Sequence, residues 1–329
     1  MKLHWQELSF RQWFRFAAFP LTALALCAHA QSPYPNRPIR FITPYAPGGS
    51  TTAMARLVGQ HLAERWGQNV IIDNRPGGNT VIGTDILAKS PPDGYTMLLT
   101  PVTHSILPLL MKTPYDPIRD FAPVATVAVS PQLLVLHPSV PAATLQELIA
   151  LAKAKPGALN FASAGAGGTS HLAGEVFNLI AGVKTQHVPY KGGGPATIDL
   201  IGGHVQMFYS VPLNVVPHVQ AGKLKAIAVT GGARVPALPQ TPTFAEAGLP
   251  GFDVKTWNGI TLPAGTPRPI IDKMSSEIGA MLALPAVRDK LDAIGTTTLI
   301  ATPEQFGAMI KSEMALYQKV IKAANIKLN

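Results

Sequence analysis

Four times along this chain a short apolar run breaks into a glycine-rich loop that opens a helix. Ile39 to Ile42 reads as a buried strand, and Pro44 and Pro47 end it. Gly48 and Gly49 let the backbone turn tightly with its N–H groups exposed. Ser50, Thr51 and Thr52 then offer a cap to a helix predicted over Ala53–Trp66, where Met54, Leu57, Val58, Leu62 and Trp66 recur at helical spacing. The second unit runs from a strand over Val70–Asn74 through Pro76-Gly77-Gly78 to a helix opened by Asn79-Thr80 and lasting to Lys89. The third runs from Asn160–Ser163 through Gly165-Ala166-Gly167-Gly168 to a helix over Ser170–Ile180. The fourth runs from Gln186–Tyr190 through Lys191-Gly192-Gly193-Gly194, with Pro195 placed as a first helical residue. Unpaired N–H groups and the helix dipole both favour an anion at such a turn. Four of them imply one polar cleft lined by helix N-termini.

The first thirty residues read as a separate object. Arg11 and Arg15 precede the apolar run Phe16 to Leu26, which ends at Ala28-His29-Ala30, the layout of a cleaved secretory leader. The run contains Pro20 and is short for a membrane span. Cys27, the chain's one cysteine, would leave with it. The mature chain would then need no oxidant to fold in an oxidising compartment such as the periplasm. Losing Lys2, Arg11, Arg15 and Glu7 lowers the formal charge from +9 to +7. The remaining basic residues are scattered, which argues against nucleic acid and for a general attraction to anions.

The alternation of strand and helix marks an α/β protein, and 329 residues suffice for two domains. Further strands are predicted at Tyr95–Thr100, Val124–Val129, Leu133–Leu136, Val205–Tyr209, Lys225–Thr230 and Val254–Thr261. Thr144 should cap a helix over Leu145–Lys155, and Val211–Gln220 a shorter one. Three helices should close the chain, the last opened by a Thr302, Pro303, Gln305 capping box and packed through Phe306, Ile310, Met314, Tyr317 and Ile321. Nucleophile-elbow, zincin and P-loop motifs are absent from the sequence. The histidines show no metal spacing, and Gly165 to Ser170, an incomplete G-x-G-x-x-G, makes a poor dinucleotide site. Neither a catalytic role nor a metal or cofactor is expected.

Several long stretches carry a family resemblance: YPNRPIRFITPYAPGGSTT, IIDNRPGGNTVIGTDILAKSPPDGYTML, TPYDPIRDFAPV, SAGAGGTSHLAGEVF, HVPYKGGGPA, GKLKAIAV and LPGFDVKTWNGITLPAGTP, in that order. The chain from Tyr34 onward resembles the Bug family, the TctC-like periplasmic substrate-binding proteins of tripartite tricarboxylate transport systems. The resemblance implies a type II-like two-lobed periplasmic binding protein, each lobe a mixed sheet flanked by helices, with a hinge of two crossing strands. Residues 1–30 would be the leader, 31–130 with 250–329 one lobe, and 131–249 the other. It implies a small carboxylate ligand, held largely by backbone N–H groups and hydroxyls. It also implies a membrane permease as the partner; a sensor kinase that reads closure of the lobes is the alternative, and a monomer is the default expectation. A secreted hydrolase and a LysR-type effector module are the rival classes. Two departures stand out: Thr52 and Tyr209 occupy positions where the family often has Asp.

The expected ligand-binding residues follow the loops. In the first lobe they are Gly48, Gly49, Ser50, Thr51 and Thr52, then Gly78, Asn79 and Thr80, then Thr103 and His104, which follow the third strand at the end where open α/β sheets bind ligands. In the second they are Ser163, Ala164, Gly165, Gly168, Thr169 and Ser170, with Tyr190, Lys191, Gly192 and Tyr209. Arg75 is either a carboxylate clamp or a partner of Asp73, and His104 and His171 are either ligand contacts or structural histidines. Trp257 is expected in the core.

Overall fold

The alternating apolar runs and amphipathic segments build two mixed sheets, one per lobe, in a computed structural model that describes residues 34–323. The expected leader, Cys27 and the cleavage site lie outside the described residues. Among the described residues no helix is long and apolar enough to cross a membrane.

The first sheet contains β1 (Ile39–Thr43), β2 (Val70–Asn74), β3 (Thr96–Pro101), β4 (Phe121–Pro131), β10 (Lys255–Pro263) and β11 (Thr297–Thr298), in the order β11-β4-β10-β3-β1-β2. β1 lies between its parallel neighbours β2 and β3, and β10 runs antiparallel between β3 and β4. The second sheet contains β5 (Leu133–Leu136), β6 (Asn160–Ser163), β7 (Gln186–Pro189), β8 (Met207–Ser210) and β9 (Lys225–Val229), in the order β7-β6-β8-β5-β9. β6 is parallel to β7 and β8, while β5 is antiparallel to β8 and β9. These sheets and their flanking helices are the two-lobed architecture expected.

One glycine in each lobe lets a helix or strand approach an aromatic ring. On α5 (Thr169–Ala181), a Cβ at Gly174 would lie 2.2 Å from the Phe161 ring of β6. On β10, a Cβ at Gly259 would lie 2.2 Å from the ring of Phe306 on α10 (Pro303–Ala323). The fully buried Phe161 and Phe177, with Tyr209, Phe244 and Phe252, form the centre of one core. Trp257 is buried, as expected, and meets Phe306 edge-on at 5.5 Å. The α10 capping box forms: Thr302 N–H donates to Gln305 Oε1 at 2.9 Å and Gln305 N–H to Thr302 Oγ1 at 3.3 Å.

The lobes are joined where the chain changes sheets. β4 ends at Pro131 and β5 begins at Leu133, so Gln132 alone makes the first crossing. The return runs from β9 through Thr230. Gln132 N–H donates to Thr230 Oγ1 at 2.8 Å, and Thr230 N–H donates to the Gln132 carbonyl at 2.9 Å. The Thr230 hydroxyl donates in turn to the Val254 carbonyl at 2.7 Å, just before β10. One threonine therefore ties both crossings together.

Helix starts differ from the sequence expectation in three places. α1 spans Ser50–Trp66 with Gly49 as its cap, so Ser50, Thr51 and Thr52 form its first turn rather than capping it. α6 spans Gly193–Ile201, which moves Pro195 to the third helical position. Between Gly77 and α2 (Val81–Ala88) the chain makes a single 3-10 turn over Gly78–Thr80, with Asn79 at φ 53° and Thr80 at φ 85°.

Candidate ligand-binding cleft

The first and third glycine loops face each other across a small cavity, and the fourth closes its rim. Tyr45, Ser50, Thr51, Pro101 and Thr103 line it from the first lobe. Ala164, Gly168, Thr169, Ser170, Gly193, Ser210, Val211 and Asn214 line it from the second, with Phe208 and Tyr209 behind. Gln132, Thr256 and Asn258 line it from the hinge strands. Its volume is about 60 Å³, far below the ~300–1,000 Å³ of sites for drug-sized ligands. None of these lining residues is Lys, Arg, His, Asp or Glu. A charged ligand would therefore meet hydroxyls, amides and the positive ends of two helix dipoles. Larger grooves of about 460 and 560 Å³ lie on α10, bounded mainly by apolar side chains such as Ile118 and Ile271 or Val176 and Leu316.

The two loops are held differently. Gly49 caps α1 and has no side chain to satisfy its N–H groups. Ser50 N–H instead donates to Asn214 Oδ1 of the opposite lobe at 2.6 Å, on α7 (Pro212–Gln220). Asn214 Nδ2 donates to Ser210 Oγ at 3.2 Å, which fixes which side of the amide faces α1. Nearby, Ala46 N–H donates to the Lys191 carbonyl at 2.8 Å. A Cβ at Gly194 would sit 2.9 Å from Gly48 C and 3.0 Å from Gly49 N. The two glycine loops thus touch backbone to backbone across the cleft. Tyr45 OH and Thr103 Oγ1 share a hydrogen bond of 2.9 Å, and burial pushes the Tyr45 phenol up to about 12, so it stays protonated.

The loop before α5 is braced within its own lobe. Ala164 N–H donates to Ser170 Oγ at 2.9 Å and Gly165 N–H to Ser163 Oγ at 3.2 Å. Gly167 N–H donates to His171 Nδ1 at 3.1 Å, which requires that nitrogen to be unprotonated. His187 Nε2 lies 2.6 Å from Ser163 Oγ, and the His171 and His187 rings stack at 3.9 Å. Burial holds His171 down at about 4. Burial, then the neighbouring His171, holds His187 at about 3. Both are neutral at pH 7.

Of the expected site residues, Ser50, Thr51, Thr103, Ala164, Gly168, Thr169, Ser170 and Tyr209 border this cavity. Gly48, Gly49 and Gly192 form the lobe–lobe contact beside it, and the Lys191 side chain is exposed at the rim. Asn79 reaches across, its Oδ1 3.6 Å from a Cβ built at Gly165. Others turn elsewhere. The Thr52 hydroxyl accepts from Asn74 Nδ2 at 2.9 Å. Gly78 and Thr80 form the left-handed turn, with the Thr80 hydroxyl buried. His104 Nε2 donates to the Pro117 carbonyl at 2.7 Å, its ring meets Phe121 edge-on, and burial lowers it to about 4. Ser163 supports the loop from beneath, and Tyr190 OH donates to Asp199 at 2.8 Å. The Tyr209 ring lies among Phe161, Phe177 and Phe252, so this side chain is mainly core. Arg75 pairs with Asp73 at 2.8 Å. The sequence reading missed Tyr45, Gln132, Asn214, Thr256 and Asn258. Tyr45 and Asn258 sit inside the motifs PYAPGG and TWNG. Asn214 has no local signature and arrives only through the packing of the two lobes.

Two lobes, a crossed-strand hinge and helix N-termini converging between them define a two-lobed periplasmic binding protein. The family model described as the tripartite tricarboxylate transporter family receptor matches residues 54–326. The chain belongs to that family. It is 39% identical over 298 residues to Protein BugT of Bordetella pertussis, covering 90% of this chain and 91% of BugT. A Rhodopseudomonas palustris protein solved with adipate is similar at a TM-score of 0.86 and 35% identity, over 89% of this chain and 99% of that one. MatC from the same organism, solved with malate, is similar at a TM-score of 0.83 and 31% identity, over 88% and 100%. Such relatives are binding proteins rather than enzymes.

Proposed function

We propose that this protein is a periplasmic receptor that captures a small carboxylate between its lobes and hands it to a tripartite tricarboxylate-type permease. The observation that carries this reading is the approach of the α1 and α5 N-termini to one cavity without a charged side chain. Helix N-termini favour anions, and the cavity between them is small and polar. The adipate and malate seen in similar proteins support the carboxylate class. The family's description supports the permease. The leader read in the sequence and the class of the relatives support the periplasm.

Native mass spectrometry of the purified protein, followed by thermal shift against mono-, di- and tricarboxylates, tests the ligand class. A ligand at 100 times its Kd stabilises by ~2.7 kcal/mol, a rise on the order of 5 °C for a chain of this size. No response across the panel sinks the carboxylate reading.

A further inference from the structure

Gln132 is the single residue of the first crossing, and its backbone is fixed on both sides by Thr230. Its side chain is 2% exposed and lines the cleft cavity. The amide Nε2 donates to Thr169 Oγ1, in the first turn of α5, at 3.3 Å. Its Oε1 is buried and has no protein partner. A buried carbonyl oxygen without a donor is costly and calls for an explanation. Two functional groups of this cavity are therefore matched to different parts of a ligand: the helix N-termini to an anion, and Gln132 Oε1 to a hydrogen-bond donor.

We infer that Gln132 makes this cleft selective for carboxylates that also carry a hydroxyl or N–H donor, over plain acids of the same length. The inference rests on the carboxylate reading above and sharpens it. The malate and adipate of the two similar structures fall on opposite sides of this division, and the geometry favours the malate side. A site built to pair a ligand hydroxyl or N–H discriminates strongly against the analogue that lacks it, because its own polar group is then left unpaired. Gln132 also lies on the hinge. A donor that engages it would contact the segment where the chain passes between the lobes.

The test uses matched pairs by titration calorimetry: malate and aspartate against succinate, glutamate against glutarate, citrate against tricarballylate. The donor-bearing member of at least one pair is expected to bind ~10-fold or more tightly. Gln132→Met keeps the length of the side chain but removes the acceptor, and is expected to bring that pair within about twofold. Gln132→Glu retains an acceptor and serves as the second variant. It is expected to keep the preference while weakening every acid by like-charge repulsion. Equal binding of both members of every pair overturns this inference and leaves the receptor reading intact. A preference that survives unchanged in Gln132→Met overturns it too. Binding of no acid at all overturns the carboxylate reading together with this one.

Discussion

The loop before α1 and the loop before α5 look alike in sequence, each a glycine run followed by hydroxyl residues at a helix start. In the folded protein one is completed from outside its lobe and the other from within. The α1 turn has Asn214 of the opposite lobe on Ser50 N–H, and Gly194 against Gly48 and Gly49. The α5 turn has Ser163, Ser170 and His171 of its own lobe on the N–H groups of Gly165, Ala164 and Gly167. The first loop can reach its full set of hydrogen bonds only when the lobes are together. The second takes these bonds from its own lobe. One half of the cleft therefore depends on the contact between the lobes, while the other is held independently of it.

The sharpest way to break this comparison is to block the approach of the loops. Gly194→Val places carbon atoms where Gly48 C and Gly49 N stand 2.9 and 3.0 Å from the Cβ position. Overpacking of this kind costs ~1–3 kcal/mol, and here it falls on the closed form alone. Affinity should drop ~10- to 100-fold, with little change in the melting temperature of the ligand-free protein and a larger radius of gyration at saturating ligand. Gly168→Val, on the braced loop, should lose binding through contact with the Gly165 carbonyl 3.2 Å away, and should impede compaction less than Gly194→Val because the first-lobe atom facing it, Thr103 Oγ1, stands 3.7 Å from the Cβ position. If Gly194→Val compacts and binds as the parent does, the loops are not a closure contact.

Asn214→Ala is expected to have a smaller effect of the same kind. It removes the acceptor for Ser50 N–H and the donor to Ser210. Losing a hydrogen bond of ~0.5–1.5 kcal/mol corresponds to ~2- to 10-fold in affinity. The loss should appear as faster ligand release in stopped-flow experiments, since the bond forms only after closure. An unchanged dissociation rate would remove Asn214 from the latch. This residue also marks the limit of what a sequence shows. Every described strand except the two-residue β11, the two lobes and eight of the eighteen residues lining the cavity are legible because strand period, glycine turns and capping patterns act over a few residues. Thr144 caps α4 (Leu145–Ala154) through Glu147 N–H as read. Asn214 meets Ser50 over a separation of 164 positions, and no local pattern encodes that meeting. His104 and Tyr209 are also placed by packing beyond the reach of local pattern, although Tyr209 still borders the cavity. Each ends or follows a strand at the cleft, yet aromatic neighbours draw the side chain into a core, and burial then outweighs the position along the strand.

The braced loop should instead reveal itself through pH. His171 and His187 have folded-state values of about 4 and 3, below the ordinary 6.5. The unfolded chain therefore takes up protons first as pH falls. The histidine contribution to stability should be level above pH 6.5, should decline from 6.5 towards 4, and should flatten once the folded histidines protonate as well, while carboxylates held below their usual range, such as Asp73 and Asp116, take over the loss at lower pH. His104, also held at about 4, contributes to the same window, so the decline does not isolate the loop. Glu175, whose Oε1 lies 3.7 Å from His171 Nε2, has its carboxyl raised by burial and is a weak counter-charge there. His171→Asn keeps an acceptor near Gly167 N–H and removes one titrating ring. The melting temperature of this variant should fall less steeply between pH 6.5 and 4 than that of the parent. Equal slopes would show that the stacked pair does not control acid stability.

The smallest expected effect concerns the 77–80 turn, where the comparison extends to a third glycine loop. Around α1 and α5 the left-handed positions are all glycines, Gly48, Gly165 and Gly167. In the 77–80 turn the left-handed stretch runs past Gly77 and Gly78 into Asn79 and Thr80. Asparagine tolerates that region, but a β-branched residue at φ 85° is strained. Strain of ~1–3 kcal/mol at Thr80 opposes the ~0.5–1 kcal/mol by which glycine favours the unfolded chain. The Thr80 hydroxyl is buried without a protein partner, so little bonding is lost with it. Thr80→Gly should therefore raise unfolding stability by ~1 kcal/mol, read by urea denaturation at constant m-value. Because the turn carries Asn79 to the edge of the cleft, the same change should loosen Asn79 and weaken ligand binding about twofold. A variant that is destabilised would show that the Thr80 side chain packs productively and that the turn is not strained. A variant that is stabilised without losing affinity would place Asn79 outside the ligand's reach, and confine the binding surface to the loops before α1 and α5.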